Sequence, residues 1–90
     1  MLLEQYIEKN VFIRTVTYHY TGKLQAIDSQ WLELDEATWI AESARWADSL
    51  KTGELVEVEP YPGRCLVSRD AVVDICEWLH ELPRTQLPAK

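Results

Sequence analysis

Cysteine and histidine are common ligands of transition metals and common catalytic groups, and this sequence holds two of each: Cys65, Cys76, His19 and His80. A structural zinc normally takes four ligands from closely spaced pairs. No CxxC or HxxxH spacing occurs here. Cys76 and His80 lie four apart, but in a stretch that reads as a strand running into a tail. A nucleophilic cysteine or serine needs a histidine base and an orienting acid. Asp74, Cys76 and His80 are close in sequence, yet nothing in their spacing marks a triad. They read instead as small apolar cysteines and surface histidines. Gly22, Gly53 and Gly63 are too far apart to form a phosphate-cradling loop. Asp35-Glu36 and Glu57/Glu59 read as solvated carboxylates. The expectation is a protein without catalytic residues, metal or cofactor.

The elements that would position any site fit one domain, since the chain has 90 residues. We assign the domain to 1–82 and a mobile C-terminal tail to 83–90, which carries proline. Nine basic against fifteen acidic residues give a formal charge of −6, a field that repels a phosphate backbone overall. Two cysteines are too few for a disulfide framework. Four tryptophans and four tyrosines are a large aromatic load, predicting burial both in a core and against another chain. The start, Met1 to Tyr6, has neither the charge nor the apolar run of a signal peptide. No run approaches the ~20 apolar residues that span a bilayer. These features predict a cytoplasmic protein that does not enter membranes.

Leu2, Leu3, Tyr6 and Ile7 recur at helical spacing and predict a short helix over 2–9. Residues 11–20 are β-branched and aromatic and predict a strand. Residues 22–28 predict the next strand, with Gly22 as the site of a bend or bulge. Asp28-Ser29-Gln30 is a turn in which the aspartate binds local backbone amides. Trp31 to Leu34 is the third strand, with Leu32 and Leu34 on one face and Trp31 and Glu33 on the other. Residues 35–53 admit two readings. In one the strand continues through Ile40 and a helix runs from Ser43, as N-cap, to Lys51, closed by Gly53. In the other, a single helix covers 35–52. The shorter helix is favoured. Leu55 to Glu59 alternates as a half-exposed strand, 60–63 turns, Cys65 to Ser68 is a strand, and 72–78 is the last one.

The run from Tyr20 to Leu34 resembles the first signature of the Sm-like family: Tyr20, Gly22, Leu24 and Asp28, followed by Trp31-Leu32-Glu33-Leu34. Ser68-Arg69-Asp70-Ala71-Val72-Val73-Asp74-Ile75 is similar to the second signature in its bacterial RNA-chaperone form. Thr17 stands where family members often carry a turn glycine, and Arg69-Asp70 stands where many have Arg-Gly. The resemblance implies a mainly β fold: a small, strongly bent, five-stranded Sm-like (SH3-like) barrel with an N-terminal helix and a helix inserted within about 35–59. It implies a bacterial or phage type, and a homo-oligomeric ring of five to seven copies. In such a ring the edge strands pair between neighbours, here through Leu66, Val67, Val72, Val73 and Ile75. It also implies single-stranded RNA held near the pore by Asp28, Gln30, Trp31, Ser68 and Arg69, where Trp31 stacks on a base and Arg69 meets base or phosphate. The rival reading is an adaptor ring whose acidic surface meets a protein and binds no nucleic acid. There Trp31 packs under the inserted helix, while Asp28 and Arg69 only shape turns and subunit contacts.

Overall fold

A computed structural model describes residues 2–89 of the chain. Six strands form one antiparallel sheet: β1 (Asn10–Thr15), β2 (His19–Ile27), β3 (Trp31–Glu42), β4 (Glu57–Pro60), β5 (Cys65–Ser68) and β6 (Val72–Glu77). One α-helix, α1 (Trp46–Thr52), lies between β3 and β4. The order is β4-β3-β2-β1-β6, with β5 also on β3. The long strand β3 is shared, pairing through Trp31–Leu34 with β5 and through Thr38–Glu42 with β4. The sheet does not close, because β5 and β6, joined by a 3-10 turn at Arg69–Ala71, do not pair with each other.

Gly22 sets the bend. The β2–β3 register shifts between Thr21 and Lys23, and Glu36 adopts φ 50°. A Cβ at Gly22 would sit 3.1 Å from the Leu34 Cβ and 3.2 Å from the Asp35 carbonyl oxygen, so only glycine lets the two strands approach this closely. The bend folds one sheet face around Val11, Ile13, Leu24, Leu32, Leu34, Ala37 and Val67, all buried. The other face carries a second core of Phe12, Ile40, Val58 and Trp78, covered by Trp46 and Leu50 of α1 and by Leu55 and Leu82. Alternation along β1 divides its side chains between the two cores. Arg14 joins α1 to the sheet. Its guanidinium lies 4.1 Å from the centre of the Trp46 ring and donates from Nε to Asp74 at 2.9 and 3.1 Å.

The favoured reading of residues 35–53 holds: the strand continues and a short helix follows, closed by Gly53 at φ 79°. Its start differs. Arg45 takes the N-cap position without a side-chain cap, and Ser43 is buried, its carbonyl accepting from the Ser49 hydroxyl. The inserted segment is thus mostly sheet, since 35–42 extends β3 and 57–60 pairs back onto it. The expected strand over 11–20 is two strands. The Thr15 hydroxyl accepts from the amides of Thr17 and Tyr18 and turns the chain between β1 and β2. The N-terminal helix is a single 3-10 turn, Leu3–Tyr6. The C-terminal segment, expected as a mobile tail, is tied to the sheet. Leu87 exchanges two backbone hydrogen bonds with Val58 at 2.9 and 3.0 Å. Arg84 donates to the carbonyls of Ala37 and Tyr61, and the Thr38 hydroxyl donates to that of Pro83.

Candidate functional site

The tight turn between β2 and β3 gathers four of the five residues expected to contact RNA, with Ser68 paired alongside. The Asp28 carboxylate accepts from the amides of Gln30 at 2.8 Å and Trp31 at 2.7 Å. Those two amide bonds hold its carboxyl below the usual carboxylate range. Trp31 pairs across strands with Ser68. The Arg69 amide donates to the Gln30 carbonyl at 2.9 Å, and the Arg69 guanidinium donates to the Asp28 carbonyl. These residues lie together because β5 pairs with the first residues of β3. Asp28 is spent on shaping its turn, and one side of the Arg69 guanidinium is spent on joining the two loops. Trp31 does not pack under the helix. It is 41 % exposed and shares a shallow depression with Ile27, Glu33 and Leu66.

The residues expected at the oligomer interface divide. Val67 is buried in the first core, and Val72 and Ile75 pack against it, so these side chains serve the fold. Leu66 and Val73 point outward at 55 % and 60 % exposure. Thr15 pairs with Val72 and Arg14 with Asp74, which leaves Val73 as the extra residue of a bulge in β6. β5 uses one edge on β3 and β6 uses one edge on β1. Their other edges have no backbone partner among the described residues.

No group of three His, Cys, Asp or Glu side chains able to hold a metal occurs among the described residues. Burial pushes both thiols up, Cys65 beside Tyr61 and Cys76 beside Asp74, which keeps them protonated and poor nucleophiles. The His80 ring packs on Gly53 and its Nε2 lies 2.7 Å from the Leu50 carbonyl, at the C-terminus of α1. His19 tilts against Phe12.

A second cluster went unread in the sequence. Tyr20, Trp39 and Glu59 form one cross-strand row over β2, β3 and β4. Tyr18 packs on Trp39 with ring centres 4.7 Å apart, and Tyr61 stacks on Tyr20. The alternation of Glu57 and Glu59 was visible, but their aromatic neighbours come from strands some twenty and forty residues away, which no local pattern encodes.

No protein-family profile matches this chain, and a search of curated proteins finds none with significant similarity to it. Among the described residues, no helix is long and apolar enough to cross a membrane.

Proposed function

We propose that this chain is a divergent Sm-like module that acts without catalysis, by assembling into a homo-oligomeric ring. The reading rests on one observation: β5 and β6, three residues apart in sequence, do not pair with each other, and each keeps an edge with no partner among the described residues. An exposed apolar side chain accompanies each edge, Leu66 on β5 and Val73 on β6. Unpaired backbone donors and acceptors are a template for another strand. A β5 edge of one copy meeting the β6 edge of the next is a head-to-tail contact, and such a contact closes into a ring when its rotation allows. The bent sheet would then be completed by its neighbour, as in a small barrel.

The ring's ligand, in this reading, is single-stranded RNA. Trp31 offers an exposed ring for a base, with Gln30 and Arg69 beside it. The adaptor reading draws on the acidic charge of the chain, which opposes a phosphate backbone overall and does not oppose a protein partner.

Light scattering on a sizing column, with and without a short uridine-rich RNA, tests both. A mass of five to seven chains is expected, with RNA co-eluting at low salt and released at high salt. A ring that ignores RNA at low salt supports the adaptor. A monomer at all concentrations overturns the ring.

A further inference from the structure

The row that crosses the bent sheet at Tyr20, Trp39 and Glu59 continues the face of the first core beyond the point where the chain covers it. Directly paired residues on neighbouring strands share a face. Trp39 therefore stands beside Glu59, and Glu42 stands beside Glu57, on one side of the β3–β4 pair. The opposite side carries Ile40 and Val58, both fully buried. This side thus presents two aromatic rings, the exposed Tyr18 and the half-buried Trp39, followed by three exposed carboxylates, Glu59, Glu57 and Glu42. Among the described residues none of these carboxylates has an ion-pair partner. Like charges directly opposite, as at Glu42 and Glu57, weaken a strand pair unless a cation comes between them.

We infer that this face docks an extended, basic segment of a partner protein, one that carries Lys or Arg at every second position. The charge is complementary, and the spacing fits as well. Glu57 and Glu59 are two apart on a strand and so point the same way, with the repeat of about 6.8 Å that alternate side chains of an extended peptide also have. The Tyr18 and Trp39 rings, meeting at 59°, offer faces for a further guanidinium or ammonium group. The chain already receives one arginine at the rim of this face. Arg84 donates to the Tyr61 carbonyl at 2.8 Å and to the Ala37 carbonyl at 2.7 Å, and Tyr61 lines the same depression as Trp39, Glu59 and Pro60. The site lies on the sheet face and does not depend on the open edges of β5 and β6, so it stands or falls separately from ring assembly.

Fluorescence anisotropy with a labelled peptide of alternating arginine and threonine tests it on the intact protein. The double variant Glu57→Gln/Glu59→Gln should weaken binding roughly fivefold or more, as two exposed charge pairs together allow. Trp39→Ala should weaken it roughly threefold or more. The control Asp48→Asn/Glu54→Gln removes the same charge from α1 and the loop after it, and it should leave binding within about twofold, in line with the screening of exposed charges at physiological salt. Equal losses in the two double variants would mean that the acidic field as a whole attracts the peptide, and would overturn the site. So would failure of the parent protein to bind the peptide at low salt. The glutamine variants touch only exposed side chains, so the outcome does not hinge on whether Trp39→Ala folds.

Discussion

Two ends of the sheet are treated in opposite ways. At β4 the chain returns along the outer edge, and Leu87 takes the amide and carbonyl of Val58. At β5 and β6 the outer edges are bare among the described residues, and Leu66 and Val73 face outward there. A bare edge is a hazard that proteins usually cover, bend or charge. Here the covering device is spent on β4. β6 receives only a bulge at Val73 and an aspartate, Asp74, tied down by Arg14. The contrast is what supports the proposed pairing of these edges with strands of another copy.

The largest effect that can sharpen this contrast lies on β6 itself. Ile75→Asp puts a charge against the first core and should lower stability by about 3 kcal/mol or more, seen as a reduced urea midpoint. Val73→Asp and Leu66→Asp alter only outward side chains. They should reduce the native mass to that of one chain and give a urea midpoint that no longer depends on protein concentration. Unaltered mass in both variants would break the proposed edge pairing.

At the covered end, Arg84→Ala removes the donors to Ala37 and Tyr61. It should cost about 1–2 kcal/mol and speed hydrogen exchange at the Val58 and Leu87 amides. Unchanged exchange there would mean that the C-terminal segment stays down without its arginine. Thr38→Val removes the bond to the Pro83 carbonyl and should cost about 1 kcal/mol in the same assay.

Smaller effects come from titration. The Arg14 guanidinium donating to Asp74 holds that carboxyl below its ordinary range. The contribution is therefore complete above the ordinary carboxylate pKa, about 3.9, and is lost as pH falls toward the depressed folded value. Asp74→Asn should flatten the acid side of the stability profile, and a profile as steep as the parent's would leave the pair without a role. On the alkaline side, burial pushes Tyr61 up to about 12. Its contribution is present below the ordinary tyrosine pKa, about 10, and fades as pH rises through the folded value. Tyr61→Phe should remove the last-titrating part of the tyrosinate absorbance.

Much of the sheet could be read from the residues because its signals are local. Gly22 announces the bend, Asp28 announces its own turn, and the alternation at Leu32/Leu34 and at Val58 sorts buried from exposed side chains. The turn between β1 and β2 was missed because Thr15 makes it with a hydroxyl, without Gly, Pro, Asn or Asp at its centre. The attachment of the C-terminal segment was missed because its bonds are made by Leu87, Arg84 and Thr38, across more than twenty residues. The turn of Asp28, Gln30 and Trp31 was legible as a turn, whereas the exposure of Trp31 depends on how β5 lies beside it.

The Arg14–Asp74 pair joins positions 60 residues apart. The β1–β2 hairpin closes over a few residues and can form early, but β6 must find β1 across most of the chain, and pairings of that range fold slowly. Until it does, β1 is bare on its outer side while its alternating apolar residues, Val11, Phe12 and Ile13, await both cores. That interval is when the chain is most open to mispairing with other chains. Growth temperature and expression rate should therefore govern how much of it is recovered folded.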